Sequence, residues 1–478
     1  MAHSNRRKWI ALLLLCMVQF MVVLDIAIVN VALPSIKIDL GFSQGNLQWV
    51  ISAYSLVFGG FLLLGGRLAD LLGRRRMFMA GLVIFSIGSL LCGLSWSEGS
   101  LIAARALQGL GAATISPAAL SILTTMFREG RERNIALGAW GAVGGVGAAA
   151  GVLLGGALVD LLSWPWIFYV NVPVGIISLI AAPILLPESR DERESSFDVL
   201  GAVLVTAGLS ILVLGITKGN DWGWTSGRTI GVFVAAAVLL VGFVGQERRA
   251  EHPLMPFSIF RLQTLTAANI VMFIMGTALF SMFLMLTLYM QQVLNFSPLK
   301  TGIGYLAVAG TAIIWANVAA AAVTRVGVKP TLVVGMSVMT LGLVLFSQVS
   351  VDGSYWRNLF PGFLVIGFGM PLAFVSLTIA ALAGTRGDEA GLASGLINTS
   401  QQIGGAVGIA ILSTIAASTT SDAMASGSAL PAALTDGFRN AFWAGAAITF
   451  VGVIVSLVLV RQSDFATAPA LEAAPEAA

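Results

Sequence analysis

The sequence predicts an all-α polytopic membrane protein with fourteen transmembrane helices. Of its 478 residues, 57% are hydrophobic and only 10% are charged, whereas soluble domains carry about 25% charged residues. Apolar stretches of about 20 residues, the length that an α-helix needs to cross a bilayer, recur along the whole chain. Strands of a membrane barrel would instead be stretches of about 10 residues with alternating polarity, a pattern that the sequence lacks.

Short loops join the predicted transmembrane helices. The fourteen predicted spans are 9–33, 47–66, 78–95, 100–126, 135–159, 165–186, 198–217, 229–246, 264–290, 301–322, 330–349, 357–380, 392–415 and 438–460. The loops leave no room for a soluble catalytic domain, and the sequence has no phosphate-binding loop. Cys16 and Cys92 fall inside spans without metal or redox spacing. We therefore expect neither an enzyme nor a cofactor.

The basic residues predict the orientation in the membrane. With the N-terminus inside, nineteen Lys and Arg residues fall on the inner side and six on the outer side, and Arg105 lies within a span. This excess predicts that both termini are cytoplasmic and that the protein lies in the cytoplasmic membrane. The net charge of +3 is spread over short loops, so it indicates orientation in the bilayer and not nucleic-acid binding. We expect a monomer embedded in the lipid bilayer, without nucleic acid as a partner.

Two long inner segments divide the chain. Residues 187–198 and 246–261 bracket spans seven and eight, and removing this pair leaves six spans on each side. This number of spans is typical of a duplicated transporter with two helices inserted between its halves. The predicted units are an N-terminal bundle, a linker with two transmembrane helices, a C-terminal bundle and a disordered cytoplasmic tail. Their ranges are 1–186, 187–263, 264–460 and 461–478.

Two charged residues lie within predicted spans. Asp25 interrupts the apolar stretch 14–36, and every other Asp or Glu falls in a loop, in the tail or at a helix end. A charge in hydrocarbon costs several kcal/mol, so it faces a cavity or a partner. Helix directions and the rise of about 1.5 Å per residue place Asp25 and Arg105 at similar depths in the outer half. We therefore expect these two side chains to pair.

Four stretches resemble motifs of a known family. They are LDIAIVNVALPSI (24–36), GRLADLLGRRRMF (66–78), RALQGLGAA (105–113) and GAWGAVGGVGAAAGVLLGGAL (138–158). Together they resemble the major facilitator superfamily, in its fourteen-helix drug:proton antiporter branch of the EmrB/QacA type. One position departs from the antiporter motif of helix five, since Val152 stands where that motif has proline.

The resemblance implies that Asp25 and Arg105 form the proton-coupling site in a central cavity. Burial favours the neutral carboxyl and a nearby Arg favours the charged form, so water access or substrate could switch its protonation. The alternative is that the pair only locks helices one and four together.

The resemblance also assigns two backbone motifs. The loop between helices two and three would tie inner helix ends together in the outward-open state, or it would only set topology. Its residues are Gly66, Asp70, Gly73, Arg74 and Arg75. Helix five would turn its glycine face to the other half, closing the halves against proton leak, or it would only pack small residues. The motif glycines are Gly147, Gly151, Gly155 and Gly156, and the face itself carries Gly144, Gly147, Gly151 and Gly155.

A set of amide, aromatic and Met residues is expected to line a substrate cavity, because rings attract cations and Met adapts to varied ligands. For the members on the ninth predicted span, 264–290, the alternative is an apolar stripe that faces the protein core or the lipid. The set is Asn30, Gln108, Asn269, Met272, Phe273, Phe280, Trp315, Asn317, Asn398 and Gln402.

The expected function is proton-coupled efflux of lipophilic, monovalent cationic or neutral drugs by alternating access. One alternative is a dedicated exporter of a single antibiotic, lipid or metabolite on the same fold. A membrane sensor or scaffold that transports nothing is a third possibility, which the motifs disfavour.

Overall fold

The computed structural model describes residues 2–460 except 44, 128–130, 190–197, 252, 256 and 383–389. Within that part of the chain every regular element is helical. The α-helices are α1 (Ala2–Leu40), α2 (Trp49–Leu72), α3 (Arg74–Gly93), α4 (Glu98–Met126), α5 (Arg131–Leu161), α6 (Trp166–Tyr169), α7 (Asn171–Leu185), α8 (Val199–Trp222), α9 (Gly227–Arg249), α10 (Gln263–Leu288), α11 (Pro298–Val326), α12 (Val328–Phe346), α13 (Phe360–Leu382), α14 (Ala390–Ala425) and α15 (Leu430–Leu459). A 3₁₀-helix covers Phe257–Arg261, and π-helical turns cover Tyr289–Val293 and Tyr355–Leu359.

Fourteen membrane spans account for these helices. Thirteen described segments are long and apolar enough to cross a bilayer, one of them formed by α6 and α7 together over Trp166–Leu185. The remaining apolar segment, Val146–Leu161, is the second part of α5, which runs over 31 residues and is the fourteenth span. The prediction of an all-α membrane protein with fourteen helices is therefore confirmed. The tail that we predict to be disordered, 461–478, lies outside the described residues.

The helices pack as two groups, and two pairs of helices form the main contacts between the groups. Helices α1–α7 pack on one another, and so do α10–α15. The two groups meet where α2 packs on α14 and where α5 packs on α11. The second helix of each half thus meets the fifth helix of the other half, which is the contact pattern of a duplicated bundle. The inserted helices α8 and α9 pack on each other, and α8 also contacts α2 and α14.

Small residues bring the helices of the N-terminal half together. A Cβ at Gly109 would lie 2.5 Å from the carbonyl oxygen of Tyr54, and one at Gly111 would lie 2.5 Å from the backbone nitrogen of Phe85. Such contacts require glycine, because any side chain would push α4 away from α2 and α3. Arg105 lies one helical turn before Gly109, so this packing fixes its position deep in the bundle.

We name the two sides of the molecule by its ends. The terminal side is where α1 begins and α15 ends, and it carries the α2–α3 turn at Gly73. The far side is the opposite one, where α1 ends at Leu40 and α2 begins.

A buried charge pair beside a central cavity

Three side chains donate hydrogen bonds to the carboxylate of Asp25. Its Oδ2 accepts a hydrogen bond of 2.7 Å from Arg105 Nη1, and its Oδ1 accepts bonds of 2.6 Å from Gln108 Nε2 and 2.9 Å from Asn171 Nδ2. Asp25 and Gln108 are 0% exposed, and Arg105 and Asn171 are 1% exposed. A buried ion pair survives in such surroundings only when hydrogen bonds satisfy its remaining lone pairs and protons.

The guanidinium of Arg105 has further partners that fix its orientation. Nη1 also donates to Gln108 Oε1 at 2.6 Å, and Nε donates to the carbonyl of Val50 at 2.9 Å. The group lies over the ring of Tyr54, 4.3 Å from the centroid, where the ring face attracts a cation. Charge and hydrogen bonds therefore join α1, α2, α4 and α7 at one point.

The pair lies behind the wall of the central cavity. A cavity of about 1660 Å³ separates the two halves, and on α1 it is lined by residues such as Val22, Ile26 and Asn30. Neither Asp25 nor Arg105 lines it. This differs from the expectation that the pair faces the cavity. The difference arises from the rotation of α1 about its axis. Asp25 stands on the face of α1 that turns toward α4 and α7.

The cavity opens on the terminal side. Polar residues at the terminal ends of the helices belong to its lining, including Arg67, Asp70, Arg133 and Glu251. On the far side the halves are joined, since Gln291 Nε2 donates to the carbonyl of Val31 at 2.8 Å. The backbone N–H of Leu299 likewise donates to Asp160 Oδ2 at 3.0 Å. The structure is thus an access state with one open end.

Four of the ten predicted cavity residues line the cavity, and they are Asn30, Phe280, Asn398 and Gln402. Gln108 does not, because it bridges Asp25 and Arg105. Trp315 does not, because it packs against Phe368 with ring centroids 4.5 Å apart. The side chain of Asn317 lies outside the described residues.

The remaining three predicted residues belong to α10 and point away from the cavity. Asn269 donates to the carbonyl of Leu265 and accepts from Ser400, while Met272 is fully buried in the C-terminal half. Phe273 packs its backbone against Gly404 of α14. The helix is apolar on every face, so a stripe at 3.6-residue spacing identifies a face without saying what covers it.

Several functional positions escaped the sequence prediction. Gln19 lines the cavity on α1, eleven residues before Asn30. Eleven residues make three helical turns, so this spacing could have found it. Asn171 in the Asp25 network gives no such signal, because one neutral amide in an apolar stretch is common.

The α2–α3 turn is anchored within the N-terminal half. Asp70 Oδ1 lies 2.9 Å from both Nε and Nη2 of Arg74. Gly73 has a φ of +109°, a left-handed conformation that favours glycine, and a Cβ there would lie 2.7 Å from Glu188 Oε1. The N–H of Arg75 donates to the same oxygen at 3.1 Å. Glu188, which follows α7, was not predicted.

Gly66, the first residue of this loop motif, lies on the cavity wall, where a Cβ would meet Pro117 of α4 at 3.4 Å. The described ion pairs of the turn stay within one half while the cavity is open on this side.

Most of the glycine face of α5 packs on its own half. A Cβ at Gly151 would lie 2.8 Å from Ala27 Cβ of α1, and Gly147 and Gly155 also face α1. The expectation that these three glycines meet the other half is therefore wrong. Gly156 alone of the four faces α11, where a Cβ would lie 2.6 Å from the carbonyl oxygen of Pro298. Adjacent residues differ by about 100° around a helix, so the two contacts are compatible.

Comparisons with known proteins agree with this fold. A model of the Major Facilitator Superfamily matches residues 15–409. The chain belongs to this superfamily. It is 37% identical to the puromycin resistance protein of Streptomyces alboniger, over 94% of this chain and 90% of that protein. It is 38% identical to the cephamycin export protein of Amycolatopsis lactamdurans, over 93% and 91% of the two chains.

A solved transporter structure shares the fold. A bacterial homolog of the human lysosomal transporter Spinster, in an inward-facing and unoccupied conformation, aligns with a TM-score of 0.68. The alignment covers 97% of this chain and 99% of that chain at 15% identity, so it concerns the fold alone. The resemblance to drug-exporting members of the superfamily is confirmed by the relatives above.

Proposed function

We propose that this transporter exports lipophilic small molecules across the cytoplasmic membrane in exchange for protons, and that Asp25 carries the proton. The observation that carries the proposal is the buried pair of Asp25 and Arg105 directly behind the wall of a cavity that opens at one end. The relatives named for antibiotic resistance and export support the direction of transport. Bond-making chemistry has no part in the proposal.

The network supports a coupling mechanism through α1. In the observed arrangement the charged carboxylate of Asp25 accepts three hydrogen bonds. Protonation would remove its charge and leave Arg105 as a buried cation without a counter-ion, which is costly. A neighbouring face of α1 lines the cavity through Val22 and Ile26. Protonation of Asp25 and cargo in the cavity therefore both act on α1, on two of its faces.

The cavity wall favours uncharged or singly charged cargo. Beyond the terminal mouth, its described lining offers aromatic rings such as Phe280 and Phe283 and amides such as Asn398 and Gln402. The two carboxylates in the lining, Asp70 and Glu251, lie at the mouth. A dication deeper in the cavity would have a charge buried without a carboxylate, which is costly.

The orientation follows from the distribution of basic residues. Because Lys and Arg are concentrated on the terminal side, that side is cytoplasmic and the observed cavity faces the cytoplasm. Export then begins in the observed state, with cargo entering the cavity and Asp25 charged. One chain provides the whole cavity, so the proposal requires no second subunit.

A dedicated exporter on the same fold is the second candidate. It is favoured by the relatives, because the two named above are each named for one antibiotic or antibiotic class. A susceptibility panel in an efflux-deficient host separates the candidates when the wild type and Asp25→Asn are compared. Protection against many lipophilic compounds supports a multidrug exporter, and protection against one supports a dedicated exporter. Equal susceptibility with and without the protein contradicts both.

A further inference from the structure

The two contacts between the halves differ in what covers them. On the α2/α14 side, the inserted helix α8 lies across both helices. Near the far side, Nε2 of Gln48, the residue before α2, donates to Thr217 Oγ1 of α8 at 2.9 Å. At mid-depth, a Cβ at Gly60 would lie 2.9 Å from Thr206 Cβ of α8. This contact between the halves is therefore covered from its far end to its middle.

The cover continues to the terminal side. Leu254, which follows α9, packs in one buried cluster with Leu64 of α2 and Ala202 of α8. Leu56, Val213 and Ala406 form a second buried cluster that joins α2, α8 and α14. Apolar side chains thus fill the gap between α2 and α14 along its length.

The α5/α11 side is closed only toward the far side. There Gly156 meets Pro298, and a Cβ at Gly302 would collide with the carbonyl of Val152. Farther toward the terminal side, Gly138 of α5 and Gly310 of α11 have no atom within 4 Å of an added Cβ. The two helices that touch at one end therefore have open space beside them nearer the other end.

Residues of this open part line the cavity without being covered by a neighbouring helix. Val146 is 52% exposed and Ile313 is 50% exposed, although both line the central cavity. Among the described helices α1 also contacts α5 and α11, but it does so from the cavity side, where Val23 and Ala27 line the cavity. The cavity thus extends between α5 and α11 toward the surface that faces lipid.

Apart from Gly138 and the indole of Trp140, the described residues of α5 and α11 that line this opening carry alkyl side chains. They are Val146, Ala148, Ala149, Val152, Ala309, Ala312, Ile313 and Ala316. The backbone polar groups of both helices are bonded within the helices, as the hydrocarbon region of a bilayer requires. An apolar molecule dissolved in the membrane could therefore pass without leaving apolar surroundings.

We infer that the gap between α5 and α11 is a lateral portal for membrane-dissolved apolar cargo, and that α8 seals the equivalent gap between α2 and α14. The inference that the entering molecule is transported cargo rests on the proposed function. The opening between α5 and α11 is a structural feature, so its accessibility from the membrane can be tested without measuring transport.

Lipid acyl chains serve as the probe of the portal. Cys16 and Cys92 are replaced by Ala, and a single cysteine is introduced at Ala312 of α11 or at Asn398 of α14, which both line the cavity. Each variant carries a small fluorophore and is placed in nanodiscs whose lipids bear a nitroxide on the acyl chain. We expect loss of fluorescence at position 312 and little loss at position 398. No loss at position 312, or equal loss at both positions, would overturn the portal.

Narrowing the opening gives a second measurement. Ala149→Trp on α5 and Ala316→Trp on α11 each fill it from one wall, and Ala237→Trp is the matched control on the exposed face of α9. We expect either portal variant to restore fluorescence at position 312 and to slow export of a membrane-partitioning dye, and we expect the control to do neither. Undiminished quenching in both folded portal variants contradicts the portal. Quenching as expected in a wild type that exports nothing contradicts the proposed function alone.

Discussion

The two halves of the molecule share a bundle architecture but differ in what they bury. The first and fourth helices of the N-terminal half, α1 and α4, contribute Asp25 and Arg105 to a fully buried ion pair. Their counterparts, α10 and α13, contain no charged residue, and α10 buries methionines such as Met275 and Met282. One half therefore carries the titratable chemistry, and the other offers an adaptable apolar surface.

This difference has an energetic meaning. Replacing a buried ion pair by apolar residues is often neutral or stabilising, whereas removing one partner costs about 3–5 kcal/mol. The C-terminal half shows that the fold packs without such a pair. Stability alone therefore does not explain the pair of Asp25 and Arg105.

The largest expected effect comes from removing the charge of Asp25. Asp25→Asn abolishes export driven by a pH gradient, because Asn cannot take up and release a proton. The measurement is dye export from vesicles under an imposed pH gradient, with thermal unfolding to verify the fold. Asp39→Asn is the matched control on α1, where Asp39 only accepts a hydrogen bond from Trp164 at the far end. A folded Asp25→Asn protein that still concentrates dye rules out Asp25 as the coupling residue.

Substitutions of Arg105 should separate charge from geometry. Arg105→Ala leaves the buried Asp25 without a counter-ion, so we expect loss of coupling and of about 3–5 kcal/mol in stability. Arg105→Lys keeps the charge but cannot reach Asp25, Gln108 and the Val50 carbonyl together, so coupling is partly kept. Gradient-driven export and thermal unfolding are measured on both variants. Equal activity of the Lys variant and the wild type would show that the fork geometry is dispensable.

Removing a neutral donor should shift coupling without abolishing it. Asn171→Leu deletes one of three hydrogen bonds to the carboxylate of Asp25. A hydrogen bond to a charged group contributes about 1.5 kcal/mol, and its loss weakens the stabilisation of the charged carboxylate. We therefore expect the pH of half-maximal export to rise. Asn440→Leu, on the exposed face of α15, should leave this pH unchanged. A shift to lower pH would contradict the assigned role of Asn171.

A change in the C-terminal half should affect cargo and leave the pH profile alone. Phe280→Ala removes an aromatic ring from the cavity wall, which costs about 1 kcal/mol for aromatic cargo and raises its KM about fivefold. Phe450→Ala, which changes a ring 55% exposed on α15, is the control. An altered pH profile in Phe280→Ala would contradict the assignment of proton coupling to the N-terminal half and of cargo contacts to the C-terminal half.

The sequence predicts the N-terminal half better than the C-terminal half, for physical reasons. Asp25 and Arg105 are conspicuous because a charge inside a span has few allowed partners. The helix α10 gives no comparable signal, since all of its faces are apolar and its neighbours decide which face meets the cavity. For the same reason the glycines of α5 predicted close packing, but their partner is mainly α1. The role of Gln108 depends on the rotation of α4, which spacing alone does not determine.

The smallest expected effect is the response of cation export to membrane potential. The cavity beyond its mouth has no described carboxylate in its lining, and Asp25 is the only acidic residue in the interior of a predicted span. We therefore expect one proton to exchange for one monovalent cation, a cycle that moves no net charge. A membrane potential, worth about 2.3 kcal/mol per charge per 100 mV, would then not drive it.

The pH gradient alone would drive this exchange, at about 1.4 kcal/mol per pH unit, or about a tenfold cargo gradient. For a neutral cargo the same proton carries net charge, so both gradients contribute. Proteoliposomes with an imposed potential and no pH difference separate the two cases, with a neutral dye as the positive control. Accumulation of a monovalent cation under potential alone, or vigorous export of a dication, would mean that more than one proton moves. A second titratable site would then have to be sought among the carboxylates at the mouth, Asp70 and Glu251, where cargo enters the cavity.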